Sequence, residues 1–128
     1  MTWAADAPVL VAEDNPTNRF VICAMLKAFG IRPLVAEDGE AAVAMACATP
    51  PRLILMDINM PKLNGMDAAR RILSDPRTAG VPIVAVTATV TEHQRRACEA
   101  AGFAGFVPKP VDVAVFEAAV APFLAKAA

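Results

Sequence analysis

The sequence predicts one doubly wound α/β domain built on a parallel sheet, and three observations carry that expectation. Short apolar runs, Val9–Ala12, Leu53–Met56 and Pro82–Val86, read as strands buried on both faces. With the weaker runs Pro33–Ala36 and Ala104–Val107 counted, helix-length segments separate the strands, which recur at intervals of roughly 20–25 residues, the rhythm of βαβ units. Gly, Pro and Asn punctuate the junctions, and 128 residues suffice for a single core. The expected division is a lead-in over 1–8 and one domain over 9–126.

The elements follow in order. Val9–Ala12 forms the first strand and ends in Glu13-Asp14. Asn15-Pro16 opens a helix, with Pro in the first turn where a missing N–H costs nothing. Val21, Ala24, Met25 and Ala28 fit an inward stripe, and Gly30 stops the helix. Pro33–Ala36 is a weak second strand. Glu37-Asp38-Gly39 then turns into an Ala-rich helix over Glu40–Ala48, with Ala42, Val43 and Ala46 inward.

Leu53–Met56 is the third strand and delivers Asp57. Pro61 keeps Met60 extended and delays the next helix, which runs near Met66–Leu73 with Arg70 and Arg71 solvated. Ser74–Gly80 is a polar connection. The fourth strand ends in Thr87-Ala88. Thr91 and Gln94 have capping-box spacing for a helix through Ala101, stopped by Gly102. A short fifth strand over Ala104–Val107 leads to Pro108-Lys109-Pro110. Asp112 caps a last helix that turns Phe116, Val120 and Phe123 or Leu124 inward, and Pro122 is expected to kink or fray its end.

Composition narrows the function. The chain is 56% hydrophobic, yet no apolar run approaches bilayer-spanning length, and Met1–Ala7 lacks the regions of a signal peptide. A net charge of −1 supplies no field for nucleic acid or anionic lipid. Cys23, Cys47 and Cys98 are odd in number and sit among Ala and Ile, as small hydrophobes do in a reducing compartment. A soluble cytoplasmic domain is expected. His93, beside Gln94, Arg95 and Arg96, reads as part of a solvated face.

In a doubly wound sheet all strand carboxyl ends lie along one edge, where ligands bind. Glu13-Asp14, Asp57, Thr87 and Lys109 each follow a strand and should therefore meet. Helix capping or solvation explains any one of them, but not their convergence. Three carboxylates about 5 Å apart repel by ~3 kcal/mol per pair at an effective dielectric near 20. A hard divalent ion, Mg²⁺ (or Mn²⁺), offsets this repulsion and suits oxygen ligands. With Lys109 as a fixed cation and Thr87 as a donor, the edge suits a phosphoryl group arriving at the Asp57 carboxylate.

The residues Glu13-Asp14, Asp57 within LILMDINMP, Gly65, Thr87-Ala88 and Lys109-Pro110 together resemble the receiver domain of two-component response regulators, over Val9 to about Leu124. The resemblance implies a flavodoxin-like sheet of order 2-1-3-4-5 with five helices. It implies that Asp57 accepts a phosphoryl group from a phosphohistidine on a histidine kinase or phosphotransfer protein. Asp14, Asp57 and the backbone carbonyl of Asn59 would hold Mg²⁺, with Glu13 acting directly or through water. Thr87 and Lys109 would contact the phosphoryl oxygens, Ala88 would leave the approach open, and Lys109-Pro110 would be cis. Two positions depart from the common pattern: Glu13 stands where Asp is frequent, and the switch aromatic is Phe106 without a hydroxyl.

On this reading the domain is a signalling phosphoacceptor, not an enzyme acting on other substrates. Thr87 moving to the phosphoryl group would vacate space for Phe106 and reshape the surface of the fourth helix, fifth strand and fifth helix, where a protein partner docks. With no output segment read after Ala128, action through protein contacts is expected. The chain is then free-standing or part of a hybrid kinase, a monomer or a weak phosphorylation-dependent dimer, without direct nucleic-acid contact or membrane insertion. A haloacid dehalogenase-type phosphatase is the rival, but it wants a second Asp where Asn59 stands. A flavin or nucleotide binder would need a glycine loop opening a helix, and Gly102-Phe103-Ala104-Gly105 runs into a strand.

Overall fold

The computed structural model describes residues 8–60, 62–88 and 91–124, with the backbone alone at 124. Expectations that touch Met1–Ala7, Pro61, Thr89 or the Leu124 side chain lie outside the described residues. The elements are β1 (Val9–Ala12), α1 (Pro16–Ala28), β2 (Pro33–Ala36), α2 (Gly39–Ala48), β3 (Leu53–Asp57), α3 (Gly65–Ser74), β4 (Ile83–Thr87), α4 (Glu92–Ala100), β5 (Gly105–Pro108) and α5 (Val113–Leu124).

Among the described residues one five-stranded parallel sheet runs β2-β1-β3-β4-β5. Side chains alternate along each strand, so each strand feeds two layers. Leu10, Ile54, Met56, Ile83 and Ala85 pack in one layer with Ala42, Ala46, Ala68, Ile72 and Cys98 from α2, α3 and α4. Val9, Val11, Leu53, Leu55, Val84, Val86 and Val107 pack in the other with Ile22 and Leu26 of α1 and Phe116 and Val120 of α5. The side chains of β1, β3 and β4 are buried in both layers, which is why those strands read as unbroken apolar runs.

The caps follow the sequence. Asn15, Asp38, Asn64 and Thr91 each accept a backbone N–H from the first turn of the helix they open. Asp112 accepts from Ala114 and Val115. Gly30 and Gly102, which end α1 and α4, take positive φ.

Some expectations need correction. The buried stripe of α1 is Ile22 and Leu26, while Ala24 and Ala28 are exposed. The stripe was placed by fitting small Ala residues, although the same spacing starting from Ile22 buries more apolar surface. α5 holds Pro122 two residues before Leu124, the last described residue, so the expected fraying beyond it lies outside the described residues. β5 begins at Gly105, and the Ser74–Gly80 connection is not wholly polar in setting, because Thr78 is buried with its hydroxyl donating to Ile72 O at 2.6 Å. The three cysteines are free, Cys98 buried and the others half-buried. No helix among the described residues is long and apolar enough to cross a membrane.

α4 is the least embedded helix. Cys98 is its one fully buried residue, whereas α3 buries Gly65, Ala68, Ala69 and Ile72. A cavity of about 330 Å³ is lined in part by Arg95 and Cys98 of α4 and by Phe103 and Phe106.

Candidate active site

Strand alternation decides which polar residues meet. Glu13 lies two residues beyond Val11, Asp57 two beyond Leu55 and Lys109 two beyond Val107, all on the side covered by α1 and α5. They do converge: Lys109 Nζ lies 2.9 Å from Glu13 Oε1 and 3.3 Å from Asp57 Oδ1. Thr87 follows Ile83 and Ala85 on the other side, where half-buried Phe106 packs, and Phe106 is the register partner of Ala85. Thr87 is itself buried, and its carbonyl accepts the Lys109 N–H at 2.9 Å. Ala88 beyond it is exposed.

Glu13 and Asp57 are buried, and Asp14 is exposed. One carboxylate oxygen from each of the three lies within 4.8 Å of the others. Glu13 Oε1, though buried, has no hydrogen-bond partner beside its ion pair with the Lys109 ammonium. The donor set is all oxygen with three formal negative charges, which fits a hard divalent cation and no soft one.

The electrostatics carry the mark of that crowding. Burial first, and then the adjacent Glu13 carboxylate, push the Asp57 carboxyl up to about 7, although Lys109 pulls against them. Burial works against the charge on Lys109, yet Glu13 and Asp57 more than offset it and raise its pKa above the ordinary lysine value.

Residues on either side of the loop after Asp57 are tied to the acid and to the strand end. Asn59 N donates to Asp57 Oδ1 at 3.3 Å, and Gly65 N donates to Ile58 O at 2.9 Å. A Cβ on Gly65 would collide with the Asp57 carbonyl oxygen, and one on Gly39 with that of Leu63. Lys62 takes φ 66° and sets its ammonium 3.5 Å from Asp38 Oδ2. The Lys109-Pro110 peptide is cis.

A profile of the response regulator receiver domain matches residues 9–121. The chain belongs to that family.

Protein PilH of Pseudomonas aeruginosa is 37% identical to this receiver domain over 106 residues, 83% of this chain and 88% of PilH. The receiver domain of sensor histidine kinase PA1611 from Pseudomonas aeruginosa, crystallised with magnesium coordinated in its active site cleft, is 37% identical. It superposes with a TM-score of 0.82 over 89% of this chain and 93% of that one. A chain of the co-crystal of the Saccharomyces cerevisiae phosphotransfer protein Ypd1 with the receiver domain of Ssk1 is 28% identical. Its TM-score is 0.81, over 91% and 88% of the two chains. A receiver domain is a signalling module of two-component systems, found within sensor kinases and in separate proteins, and the dehalogenase reading draws no support from these relatives.

Sequence reasoning missed the supports of the site. Lys62 occupies a left-handed position where Gly, Asn or Asp would have given notice. Arg19 Nη1, half-buried in the first turn of α1, donates to Glu13 O at 3.1 Å, a contact that no spacing rule foretells.

Proposed function

We propose that Asp57 is the phosphoacceptor of this receiver domain and that its donor is a phosphohistidine on a histidine kinase or phosphotransfer protein. The observation that carries the reading is the ammonium of Lys109, 3.3 Å from Asp57 Oδ1, beside three carboxylates within 4.8 Å. An Asp57 carboxylate oxygen attacks phosphorus. The P–N bond breaks, its electron pair leaves with the imidazole, and an acyl phosphate remains on Asp57.

Asp14, Asp57 and the Asn59 carbonyl are the expected holders of Mg²⁺ (or Mn²⁺), with Glu13 adjoining directly or through a water. The cation's contribution is neutralisation of charge on the phosphoryl oxygens. Lys109 adds a second fixed charge there, and Thr87 supplies a hydroxyl donor. The domain in this way promotes its own phosphorylation while acting on no other substrate.

Phosphorylation brings about −1.5 to −2 charges to Asp57. Thr87 drawn toward them leaves room on the side where Phe106 packs, and the face of α4, β5 and α5 repacks for a protein partner. The domain works in the cytoplasm on this reading. The test is incubation with acetyl phosphate and Mg²⁺ followed by intact mass. Wild type gains one phosphoryl mass increment and Asp57→Asn none; an equal gain in both overturns the assignment.

A further inference from the structure

Of the three carboxylates, Glu13 is placed for a different task from the other two. Its backbone is fixed at both ends: its N–H donates to Ala36 O at 3.0 Å, and its carbonyl accepts Arg19 Nη1 at 3.1 Å. Its side chain is 1% exposed, with Oε2 accepting the Asn15 N–H at 3.2 Å. Oε1 faces the Lys109 ammonium at 2.9 Å, closer than Asp57 Oδ1 does at 3.3 Å. Asp14, one residue on, is exposed and makes no hydrogen bond or ion pair among the described residues.

We infer that Glu13 is the permanent counter-ion of Lys109, a positioning residue that holds the ammonium over Asp57 and that, of the two arrangements open to it at the divalent cation, adjoins it through water instead of ligating it directly. The reaction itself gives such a partner a task. Asp57 attracts Lys109 first through its carboxylate and afterwards through the phosphoryl oxygens it carries, so its pull on the ammonium shifts during transfer. Glu13 is unchanged by that step. It therefore keeps Lys109 in place while charge moves from the carboxylate to the phosphoryl oxygens. Glutamate, longer than aspartate by one methylene, reaches the ammonium while its backbone stays locked to Ala36 and Arg19.

This inference rests on Asp57 being the phosphoacceptor. The test is therefore run in parallel on wild type, Glu13→Gln and Glu13→Asp, with two readouts. The first is Mg²⁺ affinity of the unphosphorylated protein by calorimetry at pH 8. The second is the rate of phosphorylation by acetyl phosphate at saturating Mg²⁺. A counter-ion role predicts Mg²⁺ affinity within about threefold of wild type in both variants, well under 1.4 kcal/mol. It also predicts transfer slowed roughly tenfold or more in Glu13→Gln, because the ammonium loses its fixed aim. Loss of Mg²⁺ affinity by about tenfold or more, with the rate recovered by raising Mg²⁺, makes Glu13 a ligand and overturns the inference. An unchanged rate overturns it too. If Glu13→Gln folds too poorly to titrate, Glu13→Asp decides: slowed transfer with undiminished Mg²⁺ affinity supports the counter-ion, and weakened Mg²⁺ binding refutes it. Failure of wild type to bind Mg²⁺ or accept phosphate would instead strike the assignment of Asp57.

Discussion

The N–H of Lys109 donates to the carbonyl of Thr87 at 2.9 Å, one step past the register pair Thr87↔Pro108. The two residues proposed to meet the phosphoryl group are thus joined through the backbone, independently of what their side chains do. Thr87→Ala keeps that bond. It should still take up phosphate from acetyl phosphate, while hydrogen exchange across α4 and β5 no longer responds to phosphorylation. A full response in the variant would break the proposed link between Thr87 and Phe106.

The raised pKa of Asp57 sets a pH dependence with a definite sign. The folded metal-free domain binds a proton more tightly at Asp57 than the unfolded chain does. Its contribution to stability is therefore complete below the ordinary value of 3.8 and lost as pH rises through about 7. Urea denaturation of wild type in chelator should show the midpoint falling across that window, and Asp57→Asn should flatten the trend. Mg²⁺ reverses it, stabilising wild type more at pH 8 than at pH 5 because the cation needs the ionised carboxylate. A midpoint in chelator that rises from pH 4 to pH 7 would contradict this account.

Lys109→Met leaves two buried carboxylates without their cation. Breaking a buried pair costs roughly 3–5 kcal/mol, and protonation of Asp57 relieves part of it, so a loss of roughly 2–4 kcal/mol at pH 8 is expected. The loss should shrink at pH 5. Equal destabilisation at both pH values would mean that packing, not charge, is what Lys109 supplies.

Gly65→Ala tests the frame of the site. The added Cβ meets the Asp57 carbonyl oxygen, which is backbone and cannot rotate away. A stability loss of about 1–3 kcal/mol follows from overpacking, together with weaker Mg²⁺ binding as the loop carrying Asn59 shifts. Wild-type values for both in calorimetry would show that the loop gives way at no cost.

The sheet was legible because each strand is apolar on both faces and each helix opens on a side chain able to accept its first N–H, as at Asn15, Asp38 and Thr91. The convergence of Glu13, Asp57 and Lys109 was legible from their places at strand ends. Alternation refines it, since all three share the parity of Val11, Leu55 and Val107. What the chain does not display in one dimension are contacts between elements: Lys62 with Asp38, Arg19 with the Glu13 carbonyl, and the nearness of Gly39 to Leu63. These depend on loop paths that no periodicity encodes. The α1 stripe was misplaced because several registers of a mostly apolar helix satisfy the same spacing, and only the neighbouring sheet chooses between them.

Helix α4 rests on the sheet through a single thiol-sized anchor, Cys98, above a hollow that its neighbours leave unfilled. Such loose seating means that tilting or sliding this helix sacrifices few dispersion contacts, whereas the same movement in α3 would tear several methyls from a close-packed bed. If phosphorylation at Asp57 does act on this face, α4 is, among the described helices, the one that should yield most readily. Enlarging residue 98 to leucine would cement that segment and should mute the domain without touching its chemistry.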